Sequence, residues 1–305
     1  MVQKNKISLF LGVALSGLLP LQLHAAGVVT DTMIQLGDAG TSTSPAEWWL
    51  DHNTVSPATD PFTIGGYARS YNHLTIDQNH SFTASNGLVV GPSYSFRNLM
   101  DIQTGGNVSV TGDVRVGTGS ISYYSTYNGI NISGENATLS ISGVLDMYNG
   151  YNAMNNYLTL TDGGKAVVED AFSLYYHWAY GNNWLELGGG SLFLAGDKTS
   201  DFAEGNGILS SIKVWDDDTN AFERVSYYSS TTLYSTPYLN WLAVDYIEDA
   251  AQAAALGYSD DFIGYTILHD INPVPEPATL LLFGTGLAGL VSTRIRRKNM
   301  RRCNE

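Results

Sequence analysis

Along much of the chain every second residue is apolar over short stretches, and the stretches are separated by Gly and Asn. The pattern is densest from residue 74 to residue 194. Four units carry it: 107–117 (NVSVTGDVRVG), 137–147 (ATLSISGVLDM), 157–168 (YLTLTDGGKAVV) and 184–194 (WLELGGGSLFL). Alternation at period two puts one face of a strand inward, so each unit reads as two half-buried strands joined by a glycine-containing bend. Val108, Leu139, Leu158 and Leu185 fall at matching places in these units, at intervals of 31, 19 and 27 residues, and Tyr-Asn-Gly recurs at 127–129 and 148–150. Units this small cannot bury their own apolar face and must stack. The expected fold is all-β, a parallel β-helix (β-solenoid). A β-sandwich is the competing arrangement of short strands, but recurrence of one strand–Gly–strand unit favours the solenoid.

The pattern changes after residue 204. Residues 207–215 read as a strand, 216–220 as a turn and 223–228 as its antiparallel partner. The alanine-rich stretch 244–256 reads as a helix ended by a left-handed Gly257, and 262–268 as a last strand. An open solenoid end exposes strand edges, so a mixed C-terminal cap is expected there. The organisation expected is a signal peptide (1–25), an N-terminal cap or entry region (26–73), solenoid repeats (74–204), the C-terminal cap (205–270), a linker (271–277), a single transmembrane helix (278–293) and a basic cytoplasmic tail (294–305).

Both ends read as targeting segments. Lys4 and Lys6 precede an apolar stretch that closes on Ala-Ala-Gly, the layout of a cleaved secretory signal. Residues 278–293 carry no charge and, at a helical rise of ~1.5 Å per residue, span roughly 24 Å, short of a ~30 Å hydrocarbon core. Arg294, Arg296, Arg297, Lys298, Arg301 and Arg302 follow. By the positive-inside rule they hold the C-terminus in the cytoplasm and place the body across the membrane. The stretch 284–289 matches G-x-G-x-x-G, but it lacks the strand and βαβ context that nucleotide binding requires.

Val274, Pro275, Glu276 and Pro277, the short apolar run and the terminal basic cluster together resemble the PEP-CTERM sorting signal of Gram-negative bacteria. The resemblance covers about the last tenth of the chain. It implies processing by a membrane-embedded exosortase near the Pro-Glu-Pro. It also implies transient anchoring in the inner membrane and delivery to the cell envelope, outer surface or extracellular matrix. The strand repeats resemble, more loosely, those of autotransporter passenger domains and β-helical exopolysaccharide proteins.

Removing the two ends sharpens the charge balance. The body holds seven of the 15 basic residues and 27 of the 29 acidic ones, a formal charge of −20 against −14 for the whole chain. Such a surface repels nucleic acid, and it repels anionic polysaccharide unless divalent cations bridge the two; it also keeps an exported protein soluble. The single cysteine, Cys303, lies in the tail, so the body holds neither a disulfide nor a thiolate nucleophile.

Catalytic motifs are absent: there is no His-x-x-x-His, no Gly-x-Ser-x-Gly and no Walker loop. Asp216, Asp218 and Asn220 place oxygen donors as a calcium loop begins, but Ala221 and Tyr227 stand where an EF-hand needs Gly and an acid. An acidic turn accounts for the segment, with a looser calcium site as the alternative; no other cofactor is expected. Tyr148, Tyr151, Tyr176, Trp178 and Trp184, interleaved with Asn, are candidate glycan contacts, or else braces between turns. The function expected is a non-enzymatic surface or matrix protein that contacts exopolysaccharide. The alternative is a β-helix polysaccharide lyase or hydrolase. It would draw its carboxylates and bases from Asp113/Arg115, Asp146, Lys165/Glu169/Asp170 and Asp197/Lys198.

Overall fold

A computed structural model describes residues 26–31, 33, 35–36, 45–119, 124–147, 152–174, 183–229 and 232–271. The expected signal peptide, transmembrane run and basic tail lie outside them. No described helix is long and apolar enough to cross a membrane.

The described chain winds into a parallel β-solenoid of about six turns. One turn runs through Asn72–Ile76, Ser81–Ala84 and Leu88–Val90. The next runs through Leu99–Ile102, Asn107–Val110 and Val114–Val116. Repetition of this path, completed by antiparallel strands near the C-terminal end, gives a nine-stranded, an eight-stranded and a six-stranded sheet, called here the long, second and third sheets. Register is kept from turn to turn because each strand has one apolar face and a one-residue slip would turn that face to water. In the long sheet Leu74 pairs with Met100, Met100 with Ile130, Ile130 with Leu158, Leu158 with Leu185, and Leu185 with Ile212. All six are fully buried. Each buried aliphatic contributes roughly 2 kcal/mol, so the column that sets the register also supplies much of the stability.

Each two-strand unit of the sequence is part of one turn, its first strand in the long sheet or the second and its other strand in the sheet that follows. Val108 and Leu139 are partners on the second sheet, whereas Leu158 and Leu185 are partners on the long sheet. The interval of 19 residues therefore compares different sheets and is not a repeat length.

The true repeat is marked by an amide ladder at the corner where each turn enters the long sheet. Asn72, Asn98, Asn128, Asn156 and Asn183 are all fully buried. Each side-chain Nδ2 donates to the Oδ1 of the next asparagine, at 2.9, 2.9, 3.0 and 3.1 Å, over sequence separations of 26, 30, 28 and 27 residues. The same Oδ1 atoms also accept the preceding asparagine's backbone N–H. The turn-equivalent of Asn128 is thus Asn156, not the Asn149 of the second Tyr-Asn-Gly, which lies outside the described residues. Space for the ladder comes from glycine. Gly91 and Gly117 have φ of +73° and +74°, and a Cβ on either would fall inside the amide of Asn128 or Asn156.

Regular turns begin before residue 74: Ala46–Trp49, Thr54–Val55 and Phe62–Ile64 already pair in parallel with the turn that follows. Past residue 204 the long sheet continues through Ile212–Asp216, itself preceded by a 3-10 turn at Gly207–Ser211 where a strand was expected. Ala221–Arg224 closes that sheet in antiparallel fashion, nearer the turn than the expected partner at 223–228. The expected helix at 244–256 contracts to Ala250–Ala255, because Leu242–Tyr246 is drawn into the second sheet beside Tyr265–Asp270. Gly257 is left-handed, at φ +80°. The antiparallel pair Tyr265–Asp270 and Leu242–Tyr246 covers the last parallel strand of the second sheet, Ser191–Ala195, as the end of an open solenoid requires.

Candidate functional site

With Leu74, Ile76 and their equivalents inward, the intervening residues of the long sheet must face outward. Register then aligns Asp101, Asn131, Thr159, Glu186 and Lys213 in one row across successive turns. Thr159 Oγ1 donates to Glu186 Oε2 at 2.9 Å, and Lys213 Nζ pairs with Glu186 Oε1 at 2.7 Å. Beside Asp101 stands His73. Its Nδ1 lies 3.0 Å from Glu47 Oε2, and its buried Nε2 lies 3.8 Å from Asp101 Oδ2 without a hydrogen bond. At that length the second contact is a charge pair. Asp101 is the main influence raising the His73 pKa, and Glu47 adds to it against the opposing effect of burial. For Asp101 burial pushes upward, but His73 and a hydrogen bond from Gln103 outweigh it and hold the carboxyl below its ordinary range.

An aromatic row runs alongside. The Tyr157 ring lies over Gly129, where a Cβ would enter the ring. Burial raises its phenol pKa, reinforced by the negative charges of Glu186 and Asp101. Trp184, next in register, is 7% exposed, with Lys213 Nζ 4.1 Å and Arg224 4.4 Å from its ring centroid. Burial and the two cations therefore leave little of its ring open to a sugar. Of the other candidate glycan contacts, Tyr148, Tyr151, Tyr176 and Trp178 lie outside the described residues.

The acids considered for catalysis are divided. Arg115 and Asp146 do share the third sheet as register partners, and Asp113 lies just before the Arg115 strand. Asp113 Oδ2 pairs with Arg115 at 3.2 Å, its Oδ1 accepts the Val144 N–H, and Asp146 accepts from Ser173 Oγ. A shallow cleft of about 210 Å³ borders Asp113 and Arg115, with Pro61, Asn86 and Val89 along it. Asp170 and Lys165 make no ion pair among the described residues, Glu169 accepts from the Tyr265 hydroxyl, and Asp197 accepts from Thr199. Asp113 and Glu169 are thus committed to holding turns together. On the long sheet, Asp101 and Glu186 are three strand steps apart, roughly 14 Å at ~4.8 Å per step.

Asp216 accepts the Asp218 N–H and the Tyr238 hydroxyl, and Asn220 is left-handed at φ +53°. These are the bonds of an acidic hairpin turn. No group of three or more metal-binding side chains occurs among the described residues.

The signals that sequence reading missed are the ladder asparagines, the glycines packed on them, and the His73–Asp101 pair. Each depends on residues one turn apart, which only register aligns.

Residues 273–298 match the PEP-CTERM protein-sorting motif. The chain is thus an exported protein sorted by exosortase, anchored at the membrane before processing, with a β-solenoid body. No curated protein and no solved structure matches the chain.

Proposed function

We propose that this is a non-enzymatic protein of the cell surface or extracellular matrix that contacts exopolysaccharide after release from the membrane. The carrying observation is the union of an exosortase sorting motif with a β-solenoid body whose outward ion pairs, Lys213–Glu186, His73–Glu47 and Arg115–Asp113, join neighbouring residues of the coils. A catalytic centre needs an acid or base left open to substrate. Among the candidates, Asp113 is engaged by Val144 and Arg115, and Glu169 by Tyr265, which favours the non-enzymatic reading. The six basic residues after the apolar run orient the C-terminus to the cytoplasm until processing.

The test is retention of the purified exported protein on the source organism's own exopolysaccharide, with and without calcium, alongside an assay for reducing ends and unsaturated products. Retention without products is the expected result. No retention in either condition, or release of products, overturns the reading.

A further inference from the structure

The acids of the body avoid one edge of the solenoid. Turns leave the third sheet and return to the long sheet through connecting segments, whose described residues include 65–71, 91–98, 117–119, 124–128 and 152–156. None contains Asp or Glu, although the body holds 27 acids. The same described residues hold five of the 19 tyrosines, Tyr67, Tyr71, Tyr94, Tyr124 and Tyr127, and two of the body's seven cations, Arg69 and Arg97. Residues that neighbour one another only through the coiling have been kept free of negative charge.

The described part of this edge shows what it offers. Tyr67 and Tyr94 stack on each other with centroids 5.6 Å apart and planes at 23°. Arg97 lies 5.9 Å from the Tyr71 ring centroid and 5.7 Å from that of Tyr127. Tyr94 and Tyr124 are neighbours on successive turns, and Tyr67, Tyr94, Tyr124 and Tyr127 are all more than two-fifths exposed. In both stacks ring faces are turned to a neighbour. Aromatic edges carry the positive end of the ring quadrupole. Neither arginine pairs with a carboxylate among the described residues, where the arginine and lysine ion pairs are Arg115–Asp113 and Lys213–Glu186.

We propose that this edge binds an anionic polysaccharide lying along the solenoid axis, its carboxylates on Arg69 and Arg97 and its hydroxyls on the tyrosine phenols. The proposal rests on the exopolysaccharide reading above and names its site and ligand class. Charge selects the occupant: elsewhere a body of −20 repels a polyanion, and only here does the repulsion lapse. A nucleic acid duplex, with a charge every ~1.7 Å, would meet that repulsion well beyond the edge. A polymer with one carboxylate per sugar is far sparser, and its hydroxyls match the phenols.

The test uses the full exported protein on immobilised polygalacturonate, with dextran, duplex DNA and anionic phospholipid vesicles as parallel arms. Wild type is expected to bind polygalacturonate more tightly than the other three and to weaken with salt. R69Q/R97Q should bind it roughly tenfold or more weakly, R69K/R97K should recover most of the loss, and Y94F should weaken it by a smaller factor. Glu186→Gln, on the long sheet, should leave it unchanged, and circular dichroism checks that each variant is folded. Unaltered binding by folded R69Q/R97Q overturns the edge as the site while leaving exopolysaccharide binding intact. Preference for dextran, DNA or vesicles overturns the ligand class. Failure to bind any polysaccharide overturns both readings together.

Discussion

Asn98 donates its side-chain amide to Asn128 Oδ1 at 2.9 Å, and that same oxygen also accepts the Asn98 backbone N–H. One acceptor thus fixes both the side chain and the main chain of the turn before it. The residues just ahead of the ladder bear the backbone cost: Tyr71, Arg97, Tyr127 and Asn155 lie at φ between +53° and +60°. Asparagine at 155 tolerates that region with least strain. At Arg97 and the tyrosines, the left-handed backbone accompanies the side-chain stack outside the corner. The amide ladder inside and the cation–aromatic stack outside are two sides of one bend.

Replacing Asn128 by Ala should destabilise the protein by about 3 kcal/mol, since buried amide and N–H partners on both neighbouring turns lose their bonds. Urea unfolding followed by circular dichroism measures it. Asn72 heads the ladder, and its register partner one turn earlier is Ala46, which has no side-chain amide to donate, so Asn72→Ala should cost less. Equal costs would show that the ladder does not act as a continuous row.

Gly117→Ala tests the other half of the corner. The new Cβ meets the Asn156 amide at a φ of +74°, so left-handed strain of about 1–2 kcal/mol is joined by displacement of the ladder. Gly205→Ala is the matched control, because its φ is +92° yet nothing lies within 4 Å of the added Cβ. The expected loss of melting temperature is clearly larger at 117 than at 205. A similar loss at both sites would reduce the effect at 117 to backbone strain alone.

Period-two alternation made the all-β solenoid legible, because inward and outward residues differ in every strand. The capping role of the last third was legible from the need to cover strand edges. Turn length was not: Leu139 and Leu158 look alike in sequence but belong to different sheets. The helix at 244–256 was overestimated because alanine propensity is a weak preference, and pairing of Val244 with Leu268 overrides it. The His73–Asp101 pair was invisible for a different cause, since 28 residues separate them in the chain and only the pairing of adjacent strands makes them neighbours.

The His73 cluster should make stability depend on pH in two windows. The folded-state pKa of His73 is raised, so its contribution is complete below the ordinary imidazole value of ~6.5 and is lost as pH rises through the folded value. Asp101 has a lowered folded-state pKa. Its contribution is present above the ordinary carboxyl value and is lost as pH falls through the folded one. Stability should therefore be greatest between the two windows. His73→Gln should flatten the decline on the alkaline side, and it should bring the Asp101 carboxyl back toward its ordinary value in an NMR titration. An unchanged alkaline decline in the variant would assign that dependence to other groups.

Processing near the Pro-Glu-Pro should remove the only thiol in the chain. Cys303 lies beyond residues 274–277, and the body contains no other cysteine. Protein recovered from the cell surface or medium should fail to react with a maleimide probe even when denatured, and its mass should end close to Glu276. The full precursor from cells lacking exosortase should label once and stay in the membrane fraction. Glu276→Ala should shift the protein toward this precursor form without altering solenoid stability, because position 276 follows the last described strand, Tyr265–Asp270. Released protein that still labels would show that the tail survives sorting. An apolar run of only 16 residues, roughly 24 Å at ~1.5 Å per residue, would then be acting as a lasting anchor or leaving the bilayer intact.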